Sequence, residues 1–269
     1  MPTTSNGIAQ FKQAQKEGWK SFAPLEVVTT AAAARLVDFA GIRSGDRVLD
    51  VGCGTGVVAI TAARMGAHLD AADLTPELLE RARENARIAR VVVGWHEADV
   101  EQLPFHDAEF NVVVSQFAHI FAPRPEVAIS EMLRVLRPEG TIAFCTWPPE
   151  MLVGRTAQLA TRYMPPPPPG VASPASWGDP QIVTERLGKA VADIVFDRGH
   201  LLVPALSPQH FRLNIERSAG PIIKMIQTLS ATAPDRLEEY RAQFDAIVAQ
   251  YMRDNLVRQD YLLTRARKV

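Results

Sequence analysis

The chain has 269 residues, 47% of them hydrophobic, with 29 basic against 30 acidic side chains and a formal net charge of −1. That length and apolar content fit one globular unit carrying an elaborated lid better than two independent domains. The dispersed, balanced charge lacks the footprint of a nucleic-acid binder, no apolar run is long enough to cross a bilayer, and the polar N-terminus has no signal-peptide core. The expectation is a cytoplasmic protein without a transmembrane segment or nucleic-acid partner, as a monomer or homodimer. The two cysteines, Cys53 and Cys145, fall at strand ends or in the sheet core, which suits a reducing compartment; no His/Cys cluster has metal spacing.

In chain order, Phe11 to Thr30 reads as a helix. Val48-Leu49-Asp50-Val51-Gly52-Cys53-Gly54-Thr55-Gly56 then reads as a buried strand entering a glycine turn, with a helix over Val57 to Met65. Closely spaced glycines remove the Cβ atoms that keep a ligand off the backbone. Such a turn brings its amides to a polar small molecule at the mouth of a parallel sheet. Asp50, Gly52, Cys53, Gly54 and Gly56 are therefore candidate binding residues. A carboxylate at Asp50 would repel a pyrophosphate but suits a ligand bearing an ammonium group. A dinucleotide fingerprint needs G-x-G-x-x-G, and Val57 stands where its third glycine belongs. That speaks against a nicotinamide-dependent oxidoreductase, which stays open as an alternative.

Ala67 to Ala72 reads as a second strand, ending in Asp73-Leu74-Thr75-Pro76. Thr75 fits a helix N-cap, Pro76 the first helical position, and Glu77 and Glu80 the positive helix end. Asp73 thus stands at a strand tip about twenty residues past the turn, where an acid can accept ribose hydroxyls. A third strand, Arg90 to Trp95, leads to Asp99-Val100. Phe110 to Ser115 is a fourth strand, apolar as if buried on both faces, and Gln116 and His119 follow it. Val127 to Leu136 has helical spacing. Arg137-Pro138-Glu139-Gly140 ends that helix, and Thr141 to Trp147 is a fifth strand. Strands alternating with helices make this an α/β doubly wound fold.

The D-x-G-x-G-x-G run from Asp50 to Gly56, with Asp73 and Asp99 each following a strand, resembles the first motifs of the class I S-adenosylmethionine-dependent methyltransferases. "ADVEQLPF", "FNVVVSQFAH" and "MLRVLRPEGTIAF" are similar in style to its small-molecule branch, in particular ubiquinone/menaquinone-pathway methyltransferases. Pro138-Glu139-Gly140 departs from the usual Pro-Gly-Gly, at a turn away from the cofactor. The resemblance implies a seven-stranded, mostly parallel Rossmann-like sheet with its last strand antiparallel and a helical lid. It implies S-adenosyl-L-methionine as cofactor, S-adenosyl-L-homocysteine as product, and a small-molecule acceptor. Asp73, with Leu74 beside it, would hold the ribose. Asp99 would accept from the adenine amino group, and the Val100 amide would meet the ring. Ser115 and Gln116 would line the methionine end. Trp19 and Phe22 would cover the cofactor, unless they are ordinary packing.

After Trp147 the composition changes. Pro165 to Pro169 form a stiff extended run, and Ser173 to Pro180 is loop. Val191 to Val203 suggests a sixth strand and Tyr261 to Ala266 a seventh. Between them Leu237, Tyr240, Phe244, Ile247, Val248 and Tyr251 recur at helical spacing, as core or else as a lid face, dimer surface or substrate pocket. The expected divisions are 1–45 (helical cover), 46–150 (cofactor core), 151–258 (proline-rich loop, sixth strand and lid) and 259–269 (final strand). His119 is the candidate base, taking a phenolic or enolic proton, or else a histidine tied to backbone. Trp147, Tyr163, Trp177 and His200 are candidate acceptor-binding residues. The function expected is methyl transfer to oxygen, nitrogen or carbon of an aromatic, quinone-like or lipid-derived acceptor. A cofactor-binding regulatory module without catalysis is the alternative.

Overall fold

The computed structural model describes residues 4–269. Helices α1 (Thr4–Trp19) and α2 (Glu26–Ala40) precede the sheet. The single helix expected over Phe11 to Thr30 is broken: a 3-10 turn at Ala23–Leu25 intervenes, started by Pro24, whose missing N–H ends continuity with the helix before it. Strands β1 (Arg47–Val51), β2 (His68–Asp73), β3 (Val93–Glu97), β4 (Phe110–Gln116) and β5 (Leu136–Thr146) then alternate with α3 (Val57–Arg64), α4 (Pro76–Ala89) and α5 (Pro125–Val135). Beyond them come α6 (Leu152–Thr161), α7 (Pro180–Leu187) and β6 (Val191–Pro204). The chain ends with α8 (Pro208–Ser218), α9 (Gly220–Thr232), α10 (Pro234–Ala249), β7 (Met252–Arg253) and β8 (Leu256–Lys268).

Seven strands form the continuous path β3-β2-β1-β4-β5-β8-β6, and the two-residue β7 pairs with β8 at its side. The first five are mutually parallel, while β8 runs antiparallel to both β5 and β6. This is the mostly parallel, Rossmann-like α/β sheet with an antiparallel final strand. β3 starts at Val93 rather than Arg90. Arg90 takes a left-handed conformation (φ 57°) that closes α4 through its amide, so the chain is still turning there. β5 reaches back to Leu136, directly from the end of α5.

Alternate residues of the central strands face two cores. Val48, Val112 and Val114 join α2 and α3 on one side. Leu49, Val51, Val113, Ile142 and Phe144 join α5 and α7 on the other. A third core lies among α6, α8, α9 and α10, where Leu237, Tyr240, Phe244 and Val248 are all buried. The apolar stripe of α10 is therefore core, as its width on one helix face requires. Pro165 to Pro169 carries no regular structure and is mostly exposed. Among the described residues, no helix is long and apolar enough to cross a membrane.

Candidate functional site

Strand order reverses between β1 and β4, and open α/β sheets bind ligands at the carboxyl ends of strands beside such a switch point. A cavity of about 220 Å³ lies there. Its walls are the turn from Asp50 to Thr55, Asp73 to Thr75, Ala98 to Val100 and Gln116 to His119. Lys12, Gln15 and Trp19 of α1 complete it.

The glycine turn is shaped by its neighbours. Gly52 has φ 67°, and a Cβ there would lie 2.3 Å from the Cβ of Ala118, so the turn is pressed against the loop after β4. Gly54 (φ 54°) is the opposite case: its nearest neighbour would be Phe22 Cε1 at 3.9 Å, which leaves an open cradle.

Asp50, at the end of β1, is buried. Its Oδ2 accepts from the amide of Ala59 in the first turn of α3 (3.0 Å), while Oδ1 is buried without a partner. Burial pushes this carboxyl up to about 7, against the Ala59 hydrogen bond and aided by the nearby charge of Asp73. Asp73 is also buried and also pushed up by burial, offset by two amides. Its Oδ2 accepts from Gly54 N and its Oδ1 from Thr75 N, both at 2.8 Å. Thr75 occupies the N-cap position of α4 without a side-chain capping hydrogen bond. Asp73 takes the N-cap residue's own amide, ahead of the helix donors that the threonine hydroxyl would cap.

At the β3 side, Asp99 Oδ1 accepts from the amide of Glu101 (2.9 Å) and Oδ2 lies 2.5 Å from Lys12 Nζ. Glu101, 1% exposed in its side chain, meets the same ammonium at 2.5 Å. It also accepts from the Arg124 amide (2.6 Å) and guanidinium (2.9 and 2.7 Å). Trp19 packs against Phe22 (5.8 Å between centroids) and Phe121 (4.7 Å), and all three rings line the cavity.

At the β4 side, Gln116 lines the cavity and donates from Nε2 to Thr29 O (3.0 Å). Phe117 takes a left-handed φ of 61°, a strained value for a bulky residue. Its ring stacks on Trp147 at 3.9 Å and 11°, and both line the cavity. Ser115 stands behind the wall rather than on it. Its hydroxyl donates to Val51 O (2.7 Å) and accepts from His119 N (3.2 Å).

His119 borders the cavity, but its side chain is not presented as a base. The residue is 1% exposed, its ring lies 4.6 Å from both Phe144 and Trp177, and neither ring nitrogen has a partner. Burial, helped by the charge of Arg186, pushes it down to about 3. The tie to backbone expected as the bland alternative is absent as well. Three candidate acceptor residues are not on the cavity wall. Trp177 is buried beneath the Arg186 guanidinium, 4.4 Å from its ring. Tyr163 packs on Tyr240 and accepts from Gln243 in the third core. His200 is exposed on β6, the outermost strand. Among the described residues, no cluster of three His, Cys, Asp or Glu side chains could hold a metal.

A family model described as a methyltransferase domain matches residues 48–140, the segment that builds most of these walls. An uncharacterized protein of Mycobacterium tuberculosis is 38% identical over 234 residues, covering 87% of this chain and 85% of its own. A demethylmenaquinone methyltransferase of Clavibacter sepedonicus is 35% identical over 142 residues, 52% of this chain and 55% of that one. The chain belongs to the class I S-adenosylmethionine-dependent methyltransferases. Solved structures share the fold. The YcgJ protein of Bacillus subtilis superposes with a TM-score of 0.59 at 19% identity, covering 88% of this chain and 98% of that one. Phosphoethanolamine N-methyltransferase 2 of Haemonchus contortus, solved with S-adenosyl-L-methionine, gives 0.54 at 18% identity over 88% of this chain and 52% of that one.

The cofactor of this methyltransferase is S-adenosylmethionine, and the cavity suits it. The open cradle at Gly54, the unpartnered Oδ1 of Asp50 and the amide-held carboxylate of Asp73 are the donor-accepting surfaces that an amino group and a ribose need. Lys12, Gln15 and Phe121 stand at the site outside every sequence motif, and Phe117 and Glu101 stand inside motifs that assign them no role. Lys12, Lys16 and Lys20 stand four residues apart, and that spacing is the signal that marks one charged helix face.

Proposed function

We propose that the protein transfers the methyl group of S-adenosylmethionine to a small, flat, uncharged acceptor with an aromatic or quinone-like body. When bound, the cofactor supplies a sulfonium-activated methyl group. The chain's own residues have to hold it, align the acceptor behind it and exclude water. Asp50, Gly52, Cys53 and Gly54 would hold the amino-acid end with Gln116, while Gly56 lies off the cavity wall, where a Cβ would meet the Trp95 ring at 2.7 Å, and shapes the turn by close packing. Asp73 and Leu74 would hold the ribose, and Asp99 and Val100 the adenine. Trp19 and Phe22 would cover it, while Ser115 supports the wall from behind.

The observation that carries the acceptor reading is the composition of the remaining wall. Phe117, Trp147 and Phe121 present aromatic faces. Lys12 is the one lysine or arginine among the described lining residues, and Asp99 and Glu101 already engage it. An anionic headgroup would therefore find no free cation to offset the cost of its desolvation. With His119 so weakly basic, alignment and the acceptor's own acidity carry the chemistry. We also infer a cytoplasmic monomer or homodimer with no nucleic-acid partner, in keeping with two buried free cysteines and a charge near zero.

The test has two stages. Calorimetric titration with S-adenosylmethionine, S-adenosylhomocysteine and NADH should give binding of the first two alone. Methyl-labelled cofactor is then incubated with neutral phenols and hydroquinones beside aromatic carboxylates and aryl phosphates. Label on the neutral set supports the acceptor reading, and label confined to the anionic set overturns it.

A further inference from the structure

Three lysines, Lys12, Lys16 and Lys20, repeat along α1 and its end at four-residue spacing, which keeps them on one helix face. Each meets acids from a different point on the carboxyl edge of the sheet. Lys20 lies 2.9 Å from Glu77 in the first turn of α4. Lys16 pairs with Glu97 at the end of β3. Lys12 bridges Asp99 and Glu101 in the loop beyond it. One helix thus clasps four carboxylates across the same edge that carries the cavity. Glu101 is anchored from below by Arg124, so Lys12 closes onto a fixed partner.

We propose that Lys12 is a positioning residue for the adenine end of the cofactor, acting through Asp99, and that the lysine stripe seats α1 as a removable roof. The inference rests on the assignment of Asp99 to adenine. Asp99 is held at both oxygens, by the Glu101 amide and by Lys12, so its carboxylate cannot turn. Each oxygen keeps a further lone pair for a donor in the cavity. Without Lys12 one restraint is gone, and the roof loses its innermost strut. Because Lys12, Gln15 and Trp19 form cavity wall, a molecule beneath them leaves on that side only when the helix lifts. The outer pairs, Lys16 with Glu97 and Lys20 with Glu77, are partly exposed, individually weak and screened by salt, which suits a roof that opens at that end, while Lys12 on the buried Glu101 holds the inner end.

S-adenosylhomocysteine and S-inosylhomocysteine, which carries an oxo group in place of the adenine amino group, are the two probes. Dissociation rates are followed by tryptophan fluorescence in the wild type, Lys12→Ala, Lys12→Arg, Asp99→Ala and the Lys16→Ala/Lys20→Ala double variant. Lys12→Ala should release S-adenosylhomocysteine about five- to tenfold faster and lose the preference for adenine over hypoxanthine, with Lys12→Arg restoring both. The double variant should speed release of both probes equally. Wild-type release should quicken from about 0.05 to about 0.5 M salt. Wild-type release and preference in Lys12→Ala overturn the proposal. So does a lower melting temperature with the adenine preference intact, which is what packing alone would give. An unchanged preference in Asp99→Ala overturns the adenine assignment beneath it, and absence of binding to the wild type overturns the cofactor site itself.

Discussion

The backbone amide of Gly54 donates a 2.8 Å hydrogen bond to Oδ2 of Asp73, tying the glycine turn after β1 to the tip of β2. The second oxygen of Asp73 holds Thr75 N at the start of α4. One carboxylate therefore shapes both sides of the cavity, and its remaining lone pairs are the acceptors proposed for the ribose. Asp73→Ala is expected to weaken S-adenosylhomocysteine binding about 30- to 100-fold, the loss of about 2–3 kcal/mol from hydrogen bonds to a charged acceptor. Isothermal titration measures it, and unchanged affinity would remove the ribose role.

Gly52 and Gly54 should fail in opposite ways when each is replaced by alanine. At Gly52 the new Cβ meets Ala118 at 2.3 Å on a left-handed backbone, so β1 and the loop after β4 must separate. Gly52→Ala should lose about 2 kcal/mol or more of stability, visible in urea unfolding. At Gly54 the same change meets nothing nearer than 3.9 Å. Gly54→Ala should cost only about 1 kcal/mol for the backbone conformation, yet weaken cofactor binding by more than tenfold, because its Cβ fills the cradle. Undiminished cofactor affinity in Gly54→Ala would show that the cradle is not where the ligand lies.

Asp50 sets an expected pH dependence. Its folded carboxyl, raised from 3.8 to about 7, binds a proton more tightly than in the unfolded chain. Its contribution to the stability of the ligand-free protein should therefore fall as pH rises from about 4 to about 7, since the unfolded chain releases that proton first, while His119, pushed down to about 3, contributes in the opposite sense over nearly the same range. Cofactor binding should run the other way. A ligand ammonium favours the ionised carboxylate, so affinity should rise between about pH 5 and 7, with a proton released on binding below 7. Calorimetry in buffers of different ionisation enthalpy measures the proton. Asp50→Asn should abolish the affinity trend, and the stability contribution is read as the difference between wild type and Asp50→Asn in urea unfolding at each pH; a difference that does not fall between about pH 4 and 7 would remove the raised Asp50 carboxyl.

The sheet and the three edge acids were legible because each is marked by close neighbours in sequence: a strand, then Asp50 and its glycines, or Asp73 beside Pro76. The early start assigned to β3 failed because Arg90 adopts a left-handed conformation more familiar in glycine or asparagine. Tyr163, Trp177 and His200 were named for their chemistry, but where such side chains go is decided by packing far away in sequence. Trp177 lies under Arg186, and Tyr163 against α10. Phe117 escaped notice for the same reason. Its role on the wall comes from a backbone twist and from Trp147, thirty residues on in the next strand's exit.

His119 is the residue on which sequence chemistry and structure part most clearly. A base must hold the proton it removes, and a histidine pushed down to about 3 holds it weakly at neutral pH. Both ring nitrogens are buried without partners, a state that costs about 1–3 kcal/mol per unmet group. Replacing the ring by an apolar side chain removes that cost while keeping the contacts with Phe144 and Trp177. His119→Leu should therefore melt at the wild-type temperature or above it. On an acceptor returned by the label screen, its turnover should stay within about threefold of wild type across the pH range. A catalytic base would cost about 100-fold or more, so a drop of that size with unchanged cofactor affinity would restore His119 as the base.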